Sequence, residues 1–371
     1  MPSQSTLTDF ESNLINAEMS NNDRIPSLSL QDVAVILQAH IAPSVTATTV
    51  ERIPSGSHAV YKVTDSGGVR YILKLGARMW PQKIETEVAT LTYFRNHTRI
   101  SVPAVRGYRV GNWQTDYVLM DFIEGQRLCV LWRDLSQPEQ ISYAKQVASI
   151  YSELDRTSFT SIGSLWLGCA IGPLDSLDTL TGPDGLLVGT SLGPYETLQA
   201  FWRGQLYHSI EQLASDPLLA DNADLCQDLY RWAGHWAQKA PEPDAYSLFG
   251  IECIKTEDII VRDGRIVAVV DLENFQINAP EFLKLNSPMR FDKEMLQVFH
   301  EECENLGVRA WVKTDSASKA RYDYCLRSTL IMQNIVPGDY NSYLRSNDLV
   351  GLRLRLVEAR DALLSVMKDT A

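Results

Sequence analysis

The sequence predicts an α+β fold in two lobes: a small antiparallel sheet carrying one helix, then a larger, mainly helical part. Three observations lead there. The chain has 371 residues, enough for two cores at the roughly 100–200 residues a domain takes. Up to Gly125 the pattern gives three strand-like runs, a helix and two more strands. Beyond Gly125 the apolar spacing turns helical, apart from one hairpin. The expected division is a polar leader over 1–27, a first lobe over 28–125 ending in a hinge at 120–125, and a second lobe over 126–371.

The elements follow in order. Residues 1–27 are rich in Ser, Asn and Asp. LSLQDVAVILQAHI (28–41) has apolar residues at helical spacing, with Ser29 as cap and Asp32 three residues on. TVERIPSGSHAVYKVT alternates on either side of a Pro-Ser-Gly-Ser turn. Asp65-Ser66-Gly67-Gly68 signals a hairpin, and VRYILKL follows. From Trp80 to about Asn96 the chain reads as an amphipathic helix with Pro81 in its first turn. VPAVRGYRVGNWQTDYVLMDFIEG then gives strand, turn and strand. In the second lobe, ISYAKQVASIYSELDRT, YETLQAFWRGQLYHSIEQLA and DLCQDLYRWAGHWAQKA have helical apolar periods. Residues 161–195, rich in Gly, Pro, Leu and Ser, read as a structured loop region. In EDIIVRDGRIVAVVDLENF, Asp263-Gly264 is a two-residue turn between two apolar strands. From Pro288 onward the pattern is helical again.

Composition excludes some functions. With 34 Lys plus Arg against 46 Asp plus Glu, the formal charge is −12, which argues against general nucleic-acid or anionic-membrane binding but still allows a local basic pocket for one phosphorylated ligand. No apolar run approaches the roughly 18–20 residues of a membrane span, and no basic start followed by an apolar stretch marks a secretory signal. The six cysteines are scattered without CxxC spacing, which indicates a reduced environment. The expected location is cytoplasmic. The six histidines show no zinc-binding spacing.

Several residues have the chemistry of a site. Ser55-Gly56-Ser57 lies in a turn between strands, which can lay backbone N–H groups over phosphates or be a plain hairpin. Lys74 stands inside the apolar strand YILKL, and Glu87 lies in the helix that follows. A strand lysine followed by a helical glutamate is the pair that grips nucleotide phosphates in protein kinases. Asp258 and Asp271 bracket the hairpin IIVRDGRIVAVVD, which suits Mg²⁺ shared between carboxylates and phosphate oxygens. His58 is expected to be a solvent-facing turn residue. Trp202, Tyr207, Trp232 and Trp236, at helical spacing, are expected to be core rather than an aromatic substrate pocket.

The run GSHAVYKV, YILKL, KIETEVATLTYFRN, VPAVRGY, YVLMDFIEG, then DIIVRDGRIVAVVDLENF and APEF, resembles the aminoglycoside phosphotransferase family and is closest to its fungal branch. The resemblance extends from about Ser44 to about Phe291. It implies a protein-kinase-like fold with ATP between the lobes and an adenine hinge at Met120, Asp121, Phe122 and Ile123. It also implies a phosphate-binding Lys74 paired with Glu87, and Asp271 as the main Mg²⁺ ligand. The family's Asp-Trp-Glu motif reads Asp271-Leu272-Glu273 here. The implied reaction is ATP-dependent phosphorylation of a hydroxyl or amine on a small metabolite.

The catalytic loop departs from that family's His-Gly-Asp-Leu-His-x-x-Asn. The spacing of 13 from Asp258 to Asp271 needs no gap; it places Asp258 at the asparagine, Cys253 at the catalytic aspartate and Ile251 at the histidine. A carboxylate replaces an amide on Mg²⁺ readily. A thiol of pKa about 8.5 is a poor base and no hard-metal ligand. Three readings follow. Glu252, one residue earlier and longer, supplies the carboxylate. Alternatively the cleft binds without transferring phosphate, or it performs other acid–base chemistry, such as cyclisation or isomerisation. Carboxylates converging on Asp271, with Lys74 paired to Glu87, are expected of a working kinase. A cleft filled by Phe249, Ile251 or Leu272, or a collapsed turn at Gly56, is expected of a degenerate one.

Overall fold

The computed structural model describes residues 28–54, 58–76, 83–111, 116–174, 179–181, 187–189, 193–215, 223–250, 254–285, 291–311, 316–335, 351, 353–354, 357–358 and 360–361. The first part is a five-stranded antiparallel sheet of order β1-β2-β3-β5-β4, formed by β1 (Ala47–Ile53), β2 (Val60–Asp65), β3 (Arg70–Leu75), β4 (Val105–Arg109) and β5 (Tyr117–Asp121). Helix α1 (Leu30–His40) starts where Ser29 and Asp32 form a reciprocal capping box. Its Val33, Ile36 and Leu37 cover one face of the sheet against Tyr61, Val63, Tyr71, Leu73, Tyr117 and Leu119. Helix α2 (Lys83–His97) packs with Val118 and Met120, the residues that alternate with those of the α1 face. The sheet is therefore apolar on both faces, which is why YILKL is nearly continuous in apolar residues rather than alternating with polar ones.

Close approach at the far edge fixes one glycine. At Gly107 a β-carbon would fall inside the ring of His40, the last residue of α1. His40 is itself tied through Nε2 to the Tyr117 hydroxyl at 2.8 Å. Gly107→Ala is expected to cost about 1–3 kcal/mol by overpacking in chemical denaturation. His40→Ala in the same chain should recover most of that loss.

After β5 the chain crosses to the second part through residues 122–125. Gly125 has φ +151°, and a β-carbon there would meet the Val261 carbonyl oxygen at 2.6 Å, so a side chain is excluded from the end of this crossing. Next, β6 (Gln126–Arg127) pairs with β12 (Ile259–Arg262), which pairs with β13 (Arg265–Val269). Positive φ at Asp263 (52°) and Gly264 (74°) forms the tight turn read from Asp-Gly. The Val269 N–H donates to the Ser101 carbonyl at 2.9 Å, which holds this hairpin against the end of α2.

Around it stand α3 (Leu128–Leu131), α4 (Gln137–Asp155), α5 (Leu198–Ser215), α6 (Ala223–Ala237), α7 (Phe282–Leu285), α8 (Lys293–Asn305) and α9 (Ser316–Ile335). Helix α4 begins four residues before ISYAKQ because Ser136 and Glu139 close a capping box and Pro138 fits the first turn. Residues 161–195, read from the sequence as a structured loop region, hold two short hairpins, β7 (Ser164–Trp166) with β8 (Ala170–Gly172) and β9 (Thr179–Thr181) with β10 (Leu187–Gly189). Strands β11 (Ser247–Gly250) and β14 (Phe275–Asn278) pair with each other. Among the described residues no helix is long and apolar enough to cross a membrane.

Candidate functional site

The alternation that sends Tyr71, Leu73 and Leu75 toward α1 turns Lys74 to the opposite face, toward α2. Glu87 lies three residues after Ile84 and four before Leu91, on the buried stripe of α2, so it is 1% exposed rather than a solvated helix residue. The two meet at 2.9 Å from Lys74 Nζ to Glu87 Oε2. Lys74 Nζ also lies 2.8 Å from Asp271 Oδ1 and 2.5 Å from Glu273 Oε2, both just beyond β13. One ammonium thus links the sheet, α2 and the segment after the hairpin. Burial alone would lower the Lys74 pKa; the charges of Glu87, Asp271 and Glu273 outweigh it and hold it well above the usual lysine range. Burial pushes Glu87 up to about 7 against the pull of Lys74. For Glu273 burial works upward too, yet Lys74 and His58 hold it well below the usual carboxylate range.

The hairpin brings its two flanking aspartates together, as their spacing suggested. Asp258 ends a short 3₁₀ turn, and its carbonyl accepts from the Val270 N–H at 2.8 Å, one residue before Asp271. Asp271 has φ +62°, the left-handed region that is strained for a side-chain-bearing residue, and its side chain is half exposed. Burial, then the negative charge of Asp271, pushes Asp258 up to about 7. Two carboxylates that repel each other in this way fit a divalent cation between them. Among the described residues no three His, Cys, Asp or Glu side chains form a metal cluster of their own. Asp258 and Asp271 would therefore share the ion with phosphate oxygens.

The residues expected to form the hinge sit at the sheet end. Met120 is buried. Asp121 accepts a two-pronged bond from Arg106, at 2.6 Å from Nε and 2.8 Å from Nη2. Phe122 lies under the cations of Arg70 (5.0 Å) and Lys62 (5.7 Å). The Asp121 N–H donates to Ala104 and the Phe122 N–H to Arg70, at 3.0 and 3.2 Å. Ile123 follows, half-buried.

Two expectations are corrected. His58 does not face solvent: it is 3% exposed, and its Nδ1 lies 3.0 Å from Glu273 Oε2. A residue next to a turn looks solvated in sequence, but the attraction of a buried carboxylate draws this one in. Glu273 itself was not among the expected site residues. Its burial, at 9% exposed, has no signal in the local sequence, unlike that of the apolar Leu272 beside it. Phe249 and Leu272 are both buried in the core, with Phe249 stacked on Phe282 at 5.8 Å. Trp202 is core as expected, also stacked on Phe282, at 5.7 Å. Ser55, Gly56, Ser57, Ile251, Glu252 and Cys253 lie outside the described residues, as do the side chains of Trp232 and Trp236.

The profile of the phosphotransferase enzyme family matches residues 49–282. Among curated proteins, the mitochondrial "altered inheritance of mitochondria protein 9" of Meyerozyma guilliermondii is 29% identical over 146 residues, 36% of this chain and 24% of that protein. Its namesake in Yarrowia lipolytica is 34% identical over 123 residues, 29% of this chain and 21% of that protein. The matched stretch thus spans under a quarter of these relatives. They are mitochondrial by name, and this overturns the expected cytoplasmic location; the expectation had rested on the lack of a membrane span and of a secretory signal and on the scattered cysteines, none of which bears on mitochondrial import. The fold is shared with solved structures. The gentamicin–APH(2″)-IIa complex aligns with TM-score 0.52 and 15% identity over 92% of this chain and 97% of that one. The streptomycin–ATP–APH(2″)-IIa ternary complex aligns with TM-score 0.51 and 14% identity over the same shares, 92% and 97%.

Proposed function

The chain belongs to the phosphotransferase enzyme family, and we propose that its cleft binds ATP with Mg²⁺ and phosphorylates a hydroxyl or amine of a small metabolite. The observation that carries this reading is the Lys74–Glu87 ion pair lying 2.8 Å from Asp271 across the cleft. Lys74 is the phosphate-binding cation, held extended by Glu87, so little orientational freedom remains to be lost on binding. Asp258 and Asp271 are the metal ligands; a divalent ion there supplies neutralisation of phosphate charge. The Asp121 and Phe122 N–H groups are already bonded within the sheet, so Ile123 is the hinge donor for adenine, with Met120 and Asp121 lining the base. Ser55, Gly56 and Ser57 are assigned to the phosphates by their place between β1 and β2.

Titration calorimetry with ATP, with and without Mg²⁺, tests the reading. Mg²⁺-dependent binding is expected, and Asp271→Asn should remove the Mg²⁺ dependence and weaken ATP by at least about 10-fold. A flat wild-type titration at millimolar nucleotide overturns it. Cys253 at the aspartate position favours a second reading, binding without transfer. In that case the wild type consumes no ATP with any metabolite offered, and Cys253→Asp gains turnover. In the first reading Glu252 serves as the carboxylate, and Glu252→Gln loses transfer while ATP binding stays.

A further inference from the structure

We propose that His58 is a positioning residue of this cleft: it holds the Glu273 carboxylate so that Lys74 can leave it for a nucleotide phosphate. The proposal rests on the nucleotide-binding reading above. His58 Nδ1 lies 3.0 Å from Glu273 Oε2, and the same oxygen lies 2.5 Å from Lys74 Nζ. A single carboxylate oxygen therefore bridges an imidazole at the root of the β1–β2 turn and the ammonium on β3.

The geometry makes this bridge a hand-over. Lys74 faces three carboxylates at once and must give up contact with at least one to serve a phosphate. Its three partners differ in what they can lose. Asp271, with its side chain 52% exposed, can turn to water or a cation. Glu87 is 1% exposed and keeps Lys74 in place. Glu273, with its side chain 10% exposed, would become a buried carboxylate without a cation, a strongly unfavourable state. His58 Nδ1, 3.0 Å away, is the group that remains on that oxygen as a donor. Lys83 Nζ donates to the Glu273 carbonyl at 3.3 Å, which fixes the backbone of the same residue while its carboxylate changes partner. His58 thus contributes without touching the nucleotide.

A double-mutant cycle read by Mg-ATP titration calorimetry tests this, using wild type, His58→Ala, His58→Asn, Glu273→Gln and the His58→Ala/Glu273→Gln pair. His58→Ala should weaken Mg-ATP by about 10- to 100-fold, the range for a hydrogen bond to a charged group. His58→Asn, whose amide N–H can replace Nδ1–H, should stay within about threefold of wild type. In the Glu273→Gln background His58→Ala should change little, because no charge is left to hold. If His58→Ala does not fold, His58→Phe keeps a ring without the N–H and takes its place. Equal binding by wild type and His58→Ala overturns the proposal and leaves the nucleotide reading standing. An equal loss in both backgrounds also overturns it, since that is general structural damage. A flat wild-type titration removes the nucleotide reading and the proposal with it, and is recognised before any variant is compared.

Discussion

A Lys74→Ala protein is expected to lose Mg-ATP binding by at least about 100-fold and to be less stable by about 3–5 kcal/mol, the cost of breaking a buried ion pair from one side. The size follows from what the ammonium leaves behind. Glu87 is 1% exposed and Glu273 9% exposed, and with Asp271 they form three carboxylates around a missing cation. Urea unfolding at neutral pH would measure the deficit. Burial already pushes Glu87 up to about 7 with Lys74 present, and removing the ammonium raises it further. A carboxyl whose folded pKa lies above its unfolded value stabilises the protein below the unfolded value, and that contribution is lost as pH rises through the folded one. The deficit of Lys74→Ala should therefore widen as pH rises through 7 and narrow toward about pH 5. Lys74→Met with Glu87→Leu, which removes both charges of that pair and refills the volume, should recover the share of the stability that belongs to Glu87 and none of the binding. Equal instability of that pair and Lys74→Ala would show that packing, rather than charge, sets the cost.

The parts of the site that were legible in sequence are those fixed by local chemistry. Ser29 with Asp32 announces α1, and Asp263-Gly264 announces the β12–β13 turn. The hairpin between Asp258 and Asp271 brings the two together because its strands pair antiparallel from Arg262 and Arg265 out to Ile259 and Val269, with one bulge between Ile260 and Val261. Lys74 and Glu87 were legible only as a pair, since each alone resembles a solvated residue. His58 and Glu273 were not legible because their burial comes from elements far apart in sequence, a turn in the sheet and a segment beyond the hairpin. The same holds for β6, β11 and β14, which have two to four residues each. Strands that short have too few positions to show a period, and β11 and β14 exist by pairing with each other. Helix α2 shows the opposite limit: Lys83, Thr86, Glu87 and Thr90 are all buried beside its apolar residues, so its polar side chains do not mark an outer face.

Arg309→Ala is expected to cost about 2–4 kcal/mol and to impair phosphoryl transfer more than nucleotide binding. Asp155, at the end of α4, is 7% exposed. It accepts from the Arg309 main-chain N–H at 2.9 Å and from Nε at 3.0 Å. Nη2 of the same arginine donates to the Asp155 carbonyl at 2.6 Å and to Ser247 Oγ at 2.7 Å. Burial raises the Asp155 pKa despite the pull of Arg309, so this carboxylate depends on the guanidinium for most of its solvation. The Leu248 N–H donates to Thr157 Oγ1 at 2.8 Å, a second tie between the end of α4 and the same strand. Ser247 and Leu248 open β11, and Glu252 and Cys253 follow it directly in sequence. Arg309 is itself partly exposed, which places the cost below that of Lys74. Arg309→Lys should recover little, because one ammonium cannot present the fork that meets carboxylate, carbonyl and hydroxyl together. Lys74, Glu87 and Asp271 stand on other elements, so Mg-ATP affinity in Arg309→Lys should stay within about threefold while kcat falls further. A parallel fall in affinity would mean that the clamp supports the whole cleft. An unchanged kcat would mean that β11 does not need it to hold the loop.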